Sequence, residues 1–473
     1  MIDIKLLKEY PEMFCEYASL RGSTVDISHL LDVDAEWRKI NTLVDEQRSV
    51  MNTLAKQKNI EEGKKIKAEL SKNENLLREL EEKRKNLLDL VGNLLAPDVP
   101  IGESDADNIE IFSWGTKPSF DFQPLYHDEL GEKLGILDVK RATKMAGSGF
   151  YYWVGDGARL QSAAFLYVEN LLINRGFIPF RTPVLAKKIS LYATGYLPFA
   201  QDEIYRVGDS DLSLIGTSEQ SLVSYKMDEI IDESELPLLY TACTPCFRYE
   251  AGAASRQTKG IFRVHQFQKQ EQIIICRPED SEYWNLFCQK NIEDIMQELG
   301  IPYRVVLVCT GDMGAPGYKK FDTEAWFPAF NAYKETHSNS NLTDYQARRS
   351  KIRYKSNNKN NFVHTISATA LTERVIIALM ENNQTAEGFI KIPKVLQKYM
   401  DGQEEIRPQK KTHPMQKNDF SEMESRIKKS NYTSIADKCE SIREYFSNCH
   451  GTKIDTYTWL TMIVRSIWHH LEK

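Results

Sequence analysis

The chain has 473 residues, a formal net charge of −6, 41% hydrophobic and 27% charged side chains, ordinary values for a soluble globular protein of about two or three domains. An acidic balance excludes a protein that coats nucleic acid over its whole surface, so an RNA partner would need a local basic patch. Eight cysteines are too sparse for a disulfide framework, and no run approaches the roughly 18 apolar residues that span a bilayer. The opening MIDIKLLKEYPEMF carries acids and a proline where a signal peptide has an apolar core, so a cytoplasmic protein with no membrane partner is expected.

The first region is helical. Trp37, Ile40, Val44, Gln47, Met51 and Leu54 step by three and four, and the pattern resumes from Ile66 through Leu70, Asn73, Leu77, Leu80, Arg84, Leu87 and Val91 to Leu94. Both are heptad seams. They predict an antiparallel helical hairpin joined by a stretch containing Gly63, each arm about 45 Å long at 1.5 Å per residue. Gln47, Asn73 and Arg84 are polar seam positions that set register at some cost in stability. Lys56, Lys58, Lys64, Lys65 and Lys67 gather at the tip, against Glu61 and Glu62. A basic excess at the end of a projecting arm suits an RNA backbone, which cations grip without reading sequence.

Beyond about residue 110 the pattern is mixed. A helix is predicted over 158–175, and strands over YRVVLV, IFRVHQF and TEAWFP. In CFRYEAGAASRQTKGIFRVHQFQKQE (residues 246–271), two alternating runs flank a small, polar middle. Strand parity places Arg248 with Glu250 on one face and Arg263, Phe267 and Glu271 on another, so a hairpin would gather cations, an aromatic ring and carboxylates on one surface. Cys243 and Cys246 form a CxxC with no second ligand pair at a familiar distance and are read as structural. From about residue 406 a polar, Lys-rich linker leads into amphipathic text whose last helix has Leu460, Ile463, Ile467 and Leu471 on one face.

The hairpin stands between TGYLPFAQDEIYRV and LIGTSEQSLVSY on one side, and GDMGAPGYKKFDTEAWFPAFNAYKETHSNSN and HTISATALTERVIIALMENNQ on the other. With the helical arm, these motifs in this order resemble the seryl-tRNA synthetases, class II aminoacyl-tRNA synthetases, from the amino terminus to about residue 406. The resemblance implies an α+β fold. An N-terminal tRNA-binding coiled-coil arm would occupy residues 1–110, and an antiparallel-sheet class II catalytic domain residues 111–405. Residues 406–473 would form a linker and helical C-terminal extension with no counterpart in the family pattern. It further implies a homodimer whose interface includes LLINRGFIPFRTPVL, ending at Pro183.

The implied activity is ATP-dependent activation of L-serine to seryl-adenylate and transfer to tRNA(Ser), with tRNA(Sec) left open as a second RNA. By the resemblance Arg248 holds the α-phosphate of ATP, Glu250 meets the adenine end, Phe267 stacks on the base, and Arg263 and Arg374 handle phosphates, Arg248 and Arg374 being the catalytic pair. Glu335 and Ser338 match the family's ATP and Mg²⁺ positions. Thr217, Ser218, Glu219, Glu271 and Thr369 would bind serine, and the five arm-tip lysines tRNA. These residue types suit the chemistry. Two anionic reactants need positioning and charge neutralisation, which the planar arginine fork provides. A hydroxyl-binding site rejects the analogue lacking one by on the order of 10⁴ to 10⁵.

Two positions depart from the family pattern. Ser367-Ala368-Thr369 stands where Asn-Gly-Ser is common, and Thr369 lies one residue closer to Arg374; within a helix such a change would rotate Arg374 by about 100°. His337 sits beside the metal position. Two rival readings are a paralogue that loads an activated amino acid onto a carrier protein, and a degenerate, non-catalytic RNA-binding paralogue. The basic-tipped arm weighs against the first, and retention of Arg248, Glu250, Glu271 and Arg374 against the second.

Overall fold

The computed structural model describes residues 1–250 and 259–408. The expected C-terminal helical extension and most of the polar segment after Glu250 lie outside the described residues.

The arm is a pair of long antiparallel helices, α1 (Ile27–Gln57) and α2 (Ile60–Asp89). Asp26 and Asn59 cap their N-termini by accepting from the backbone N–H groups of His29 and Glu62. The reversal is tighter than expected. Lys58, in the left-handed region at φ 56°, turns the chain, and Gly63 lies inside α2 instead of in the connection. The seam closes best near the root, where Val44, Leu80 and Leu88 are buried. Its polar members find partners across it. Asn73 Nδ2 donates to Gln47 Oε1 at 3.0 Å, and Arg84 Nε donates to Asp34 Oδ1 at 2.6 Å while its guanidinium covers the Trp37 ring at 4.7 Å. Asp34 is 1% exposed and also takes Lys8 at 2.9 Å and Arg38 at 3.0 Å. The carboxylate is therefore fully compensated, and removing one side of such a buried cluster costs about 3 kcal/mol. Val91 and Leu94, read as the end of the seam, lie past α2 and pack around Tyr345 of the following region.

The region after the arm is built on eight strands: β1 (Ile109–Trp114), β2 (Ile178–Phe180), β3 (Leu238–Phe247), β4 (Gln266–Cys276), β5 (Tyr303–Leu307), β6 (Lys319–Phe327), β7 (Ala332–Asn341) and β8 (His364–Thr372). Their spatial order is β1-β5-β6-β7-β8-β4-β3-β2, antiparallel throughout except for the β2–β3 pair at the edge. Helices α3 (Asp156–Asn174), α4 (Ser281–Glu298) and α5 (Glu373–Asn382) contribute Leu160, Val168, Ile292, Ile295, Ile376 and Leu379 to the main core.

Two bulges shape the other part of the sheet. Thr336 is the extra residue between β7 and β6, and Ala370 between β8 and β4. A bulge bends its strand and re-aims the neighbouring side chains. Strand β4 begins only at Gln266, so the IFRVH segment is not strand, and Arg248 lies one residue beyond β3. Parity therefore governs Phe267 and Glu271 but not Arg248, Glu250 or Arg263. Those three are placed by the loop ends: Arg248 N–H donates to His265 C=O at 3.0 Å, and Glu250 sits at φ 51°.

Candidate active site

Two adjoining concavities open on the sheet. The first is lined by Arg248, Glu250, Arg263, Phe267, Glu335 and Arg374, the second by Tyr196, Thr217, Glu219, Glu271, Gln346 and the loop from Met313 to Gly317. Arg248, Lys269, Ser338 and Thr369 line both, so the two share a floor.

In the first concavity the arginines differ in their engagements. Arg263 pairs with Glu250, and Arg374 Nη1 donates to Glu335 Oε2 at 3.0 Å and to its carbonyl oxygen at 3.1 Å. Arg374 also stacks on Phe262 at 4.7 Å. Arg248 lies 5.4 Å from the Phe267 ring centroid, and its buried Nε has no partner among the described residues. Unlike Arg263 and Arg374, it has no carboxylate within ion-pair distance among the described residues. Arg374 lines the first concavity despite the shortened third motif: α5 starts only at Glu373, so the segment from Thr369 to Thr372 is strand, bulged at Ala370, where no helical rotation applies.

Glu335 and Ser338 both come from β7, and Asp322 is the cross-strand neighbour of Ser338. Burial opposes the charge on Glu335, but Arg374 and Lys320 outweigh it and hold the carboxyl well below the usual range. Its side chain remains 46% open to solvent within the concavity, so an ion can reach it. Asp322 Oδ2 accepts from Lys320 Nζ at 2.8 Å, while its buried Oδ1 has no described partner. Burial pushes the Asp322 carboxyl up, with Lys320 opposing and Glu335 reinforcing the shift. Among the described residues no three Asp, Glu, His or Cys side chains gather as a metal cage. The ionised Glu335 carboxylate and the Ser338 hydroxyl, both lining the concavity, fit Mg²⁺, which takes a few protein oxygens and fills its octahedron from phosphate and water. His337 does not line the concavity. It is buried with Nδ1 2.9 Å from Thr336 Oγ1, and burial pushes its pKa down to about 3.

In the second concavity Glu271 is 2% exposed. It accepts from Thr217 Oγ1 at 2.7 Å and pairs with Lys269, and its Oε2 is buried without a described partner. Glu219 accepts from Gln346 Nε2 at 2.6 Å; burial, then the charge of Glu271, raises its pKa. Thr369 is the cross-strand partner of Glu271. Ser218 is not brought to the concavity: it is fully buried and its hydroxyl donates to the Ala242 carbonyl at 3.2 Å. The CxxC thiols are free, with Cys243 accepting from Gln268 Nε2 at 3.2 Å and Cys246 buried. Lys56, Lys58, Lys64, Lys65 and Lys67 are all exposed at the arm tip, far along the chain from the concavities.

Lys269 escaped the sequence reading although it shares the parity of Phe267 and Glu271. Lys320, Asp322 and Gln346 carried no such signal, since they enter from other strands and a short helix (Tyr345–Ser350) whose neighbours only the fold determines.

An antiparallel sheet with this hairpin, this arginine-bearing helix and these paired concavities defines a class II aminoacyl-tRNA synthetase. The profile of the class II core domain of the G, H, P, S and T synthetases matches residues 203–383, and that of the seryl-tRNA synthetase N-terminal domain residues 1–95. Serine–tRNA ligases from Fervidobacterium nodosum and Dictyoglomus thermophilum are 40% and 42% identical, over 86% and 87% of this chain and the whole of each relative. The crystal structure of seryl-tRNA synthetase from Pyrococcus horikoshii complexed with ATP superposes with a TM-score of 0.82 at 36% identity, covering 87% of this chain and 100% of that one. The AMP complex of the cytoplasmic Naegleria fowleri enzyme gives 0.78 at 32% identity, over 87% and 99%. The chain belongs to the seryl-tRNA synthetase family.

Proposed function

We propose that the chain performs the family's reaction, ATP-dependent ligation of L-serine to tRNA(Ser), with its residues in the following roles. A serine carboxylate oxygen attacks the α-phosphorus of ATP, the bond to the β,γ-phosphates breaks, and pyrophosphate leaves with that electron pair. Arg248, lining both concavities with its Nε unpartnered, neutralises the α-phosphate and the incoming carboxylate together. That shared placement carries the reading. Phe267 stacks on the adenine, Glu250 meets its edge, and Arg263 and Arg374 bind the outer phosphates. Glu335 and Ser338 hold Mg²⁺, which when bound neutralises phosphate charge. Glu271 and Thr217 receive the polar groups of serine, with Glu219, Thr369 and Lys269 completing the wall. The seryl ester then forms when a terminal ribose hydroxyl of tRNA displaces AMP.

A homodimer belongs to the proposal, supported by Leu166, Ile173 and Ile178 standing 49%, 40% and 53% exposed on α3 and β2. So does a cytoplasmic location. Six described cysteines are free thiols, and no helix among the described residues is long and apolar enough to cross a membrane.

The test is exchange of labelled pyrophosphate into ATP, expected with serine and absent with alanine. Removing residues 45–75 should leave exchange within about threefold and abolish transfer to tRNA. The cut is chosen to keep Asp89, which accepts from Tyr192 OH at 2.7 Å and, through its carbonyl, from Arg349 at 2.8 Å, tying the arm root to the catalytic body. Exchange with alanine equal to that with serine would refute the amino acid, and tRNA charging by the truncated protein would refute the role of the arm.

A further inference from the structure

The loop from Met313 to Gly317 forms a wall of the second concavity, beside Glu219 and Glu271. Two of its five residues are glycines, and apart from the Pro316 ring and a turn bond from Gly317 N–H to Gly314 C=O at 3.0 Å its path is fixed from outside, through its carbonyls. Arg21, the C-cap of the helix Pro11–Leu20 in the N-terminal region, donates through Nη1 to the carbonyl oxygens of Met313 at 3.3 Å and Gly314 at 3.1 Å, and through Nη2 to that of Gly317 at 2.6 Å. Asn93, just past the arm, takes the two between them. Its backbone N–H donates to Ala315 C=O at 2.8 Å, and its Nδ2 to Pro316 C=O at 2.9 Å. Every carbonyl of the wall is thus held by a residue from outside the catalytic sheet.

The two clamps are themselves joined, since Arg21 Nη2 also donates to the carbonyls of Asn93 at 3.1 Å and Leu94 at 3.2 Å. Asn93 is 1% exposed and anchors further to the Leu342 carbonyl at 2.9 Å. On its far side the wall has no slack. A Cβ on Gly195 would come within 2.6 Å of Pro316 Cγ, so a shift of Pro316 would press on the segment carrying Tyr196, which lines the same concavity.

We propose that Arg21, together with Asn93, is a positioning residue for serine: the N-terminal domain, besides carrying the arm, sets the wall of the amino-acid pocket and thereby its affinity. The proposal rests on the second concavity being the serine site. It makes serine binding depend on a residue that touches neither substrate, and leaves the ATP concavity, which the loop does not line, unaffected.

Pyrophosphate exchange by full-length wild-type, Arg21→Gln and Arg21→Lys proteins, with serine and ATP varied in turn, tests it. The glutamine variant is expected to raise the serine KM at least tenfold with the ATP KM within twofold. The lysine variant, which keeps the charge and stem but loses the fork, should fall between it and wild type. If the glutamine variant does not fold, the lysine variant decides alone: a serine-specific rise of threefold or more supports the proposal. An unchanged serine KM, or equal rises for serine and ATP, overturns it, because a merely structural role lowers the amount of active protein without splitting the two constants. A wild-type protein with no serine-dependent exchange overturns the reading of the concavity, and this inference with it.

Discussion

Arg248→Ala is expected to lower serine-dependent pyrophosphate exchange by about 10³-fold in kcat/KM, with the fold intact. Removing one preorganised donor to developing charge typically costs 10²- to 10³-fold, about 3 to 4 kcal/mol of transition-state stabilisation. Arg248 belongs at the upper end because it faces both reactants. Arg263 and Arg374 divide their charge with Glu250 and Glu335, whereas Arg248 Nε has no described partner. Glu203, Glu250 and Glu335 feel its charge without pairing directly with it, so its loss breaks no ion pair among the described residues, and circular dichroism and melting temperature should stay close to wild type. Arg248→Lys keeps the charge but not the planar fork, and a loss of about 10- to 100-fold is expected. Activity of the alanine variant within tenfold of wild type would remove Arg248 from the reaction.

Glu271→Gln has the second large effect, and it falls on the amino acid. The Glu271 carboxylate spends Oε1 on Thr217 and holds Lys269, leaving a buried Oε2 for a ligand's donor. The glutamine variant keeps the volume but presents a second donor where serine must donate and leaves Lys269 without its counter-charge. Serine kcat/KM should fall by about 10³-fold while the ATP KM changes less than threefold, and discrimination against alanine should collapse with it. The site buries a charge pair, so stability should drop by about 3 kcal/mol, seen as a lower urea midpoint. An unchanged serine-to-alanine ratio would move serine recognition elsewhere.

How far this site was legible in the sequence differs from residue to residue. The arm was legible because a heptad seam is a local pattern; of its polar members Gln47 pairs with Asn73, while Arg84 reaches Asp34, which lies before the seam that was read. Where it turns was not, because Gly63 drew attention from Lys58, whose left-handed backbone has no compositional signal. The hairpin of residues 246–271 converged as expected but by another route. Phe267 and Glu271 follow strand parity, while Arg248, Glu250 and Arg263 arrive on loop ends that alternation does not describe. Lys269 was within reach of the same parity rule. Ser218 looked equivalent to its neighbours Thr217 and Glu219, yet the short turn into the helix at Glu219 points its hydroxyl at Ala242. The bulges at Thr336 and Ala370 decide how Glu335 and Arg374 meet, and a bulge becomes visible only once its partner strand is in place.

The most direct measurement is aminoacylation by the full chain of purified tRNA, with tRNA(Ser), tRNA(Sec) and an unrelated tRNA in parallel, labelled serine or labelled alanine as the amino acid, and pyrophosphate exchange read on the same protein. Serine is expected to appear on the 3′ end of tRNA(Ser) in an ATP- and magnesium-dependent reaction, with none on the unrelated tRNA. Exchange of pyrophosphate without any transfer to tRNA, or charging with alanine as efficient as with serine, would contradict a serine–tRNA ligase.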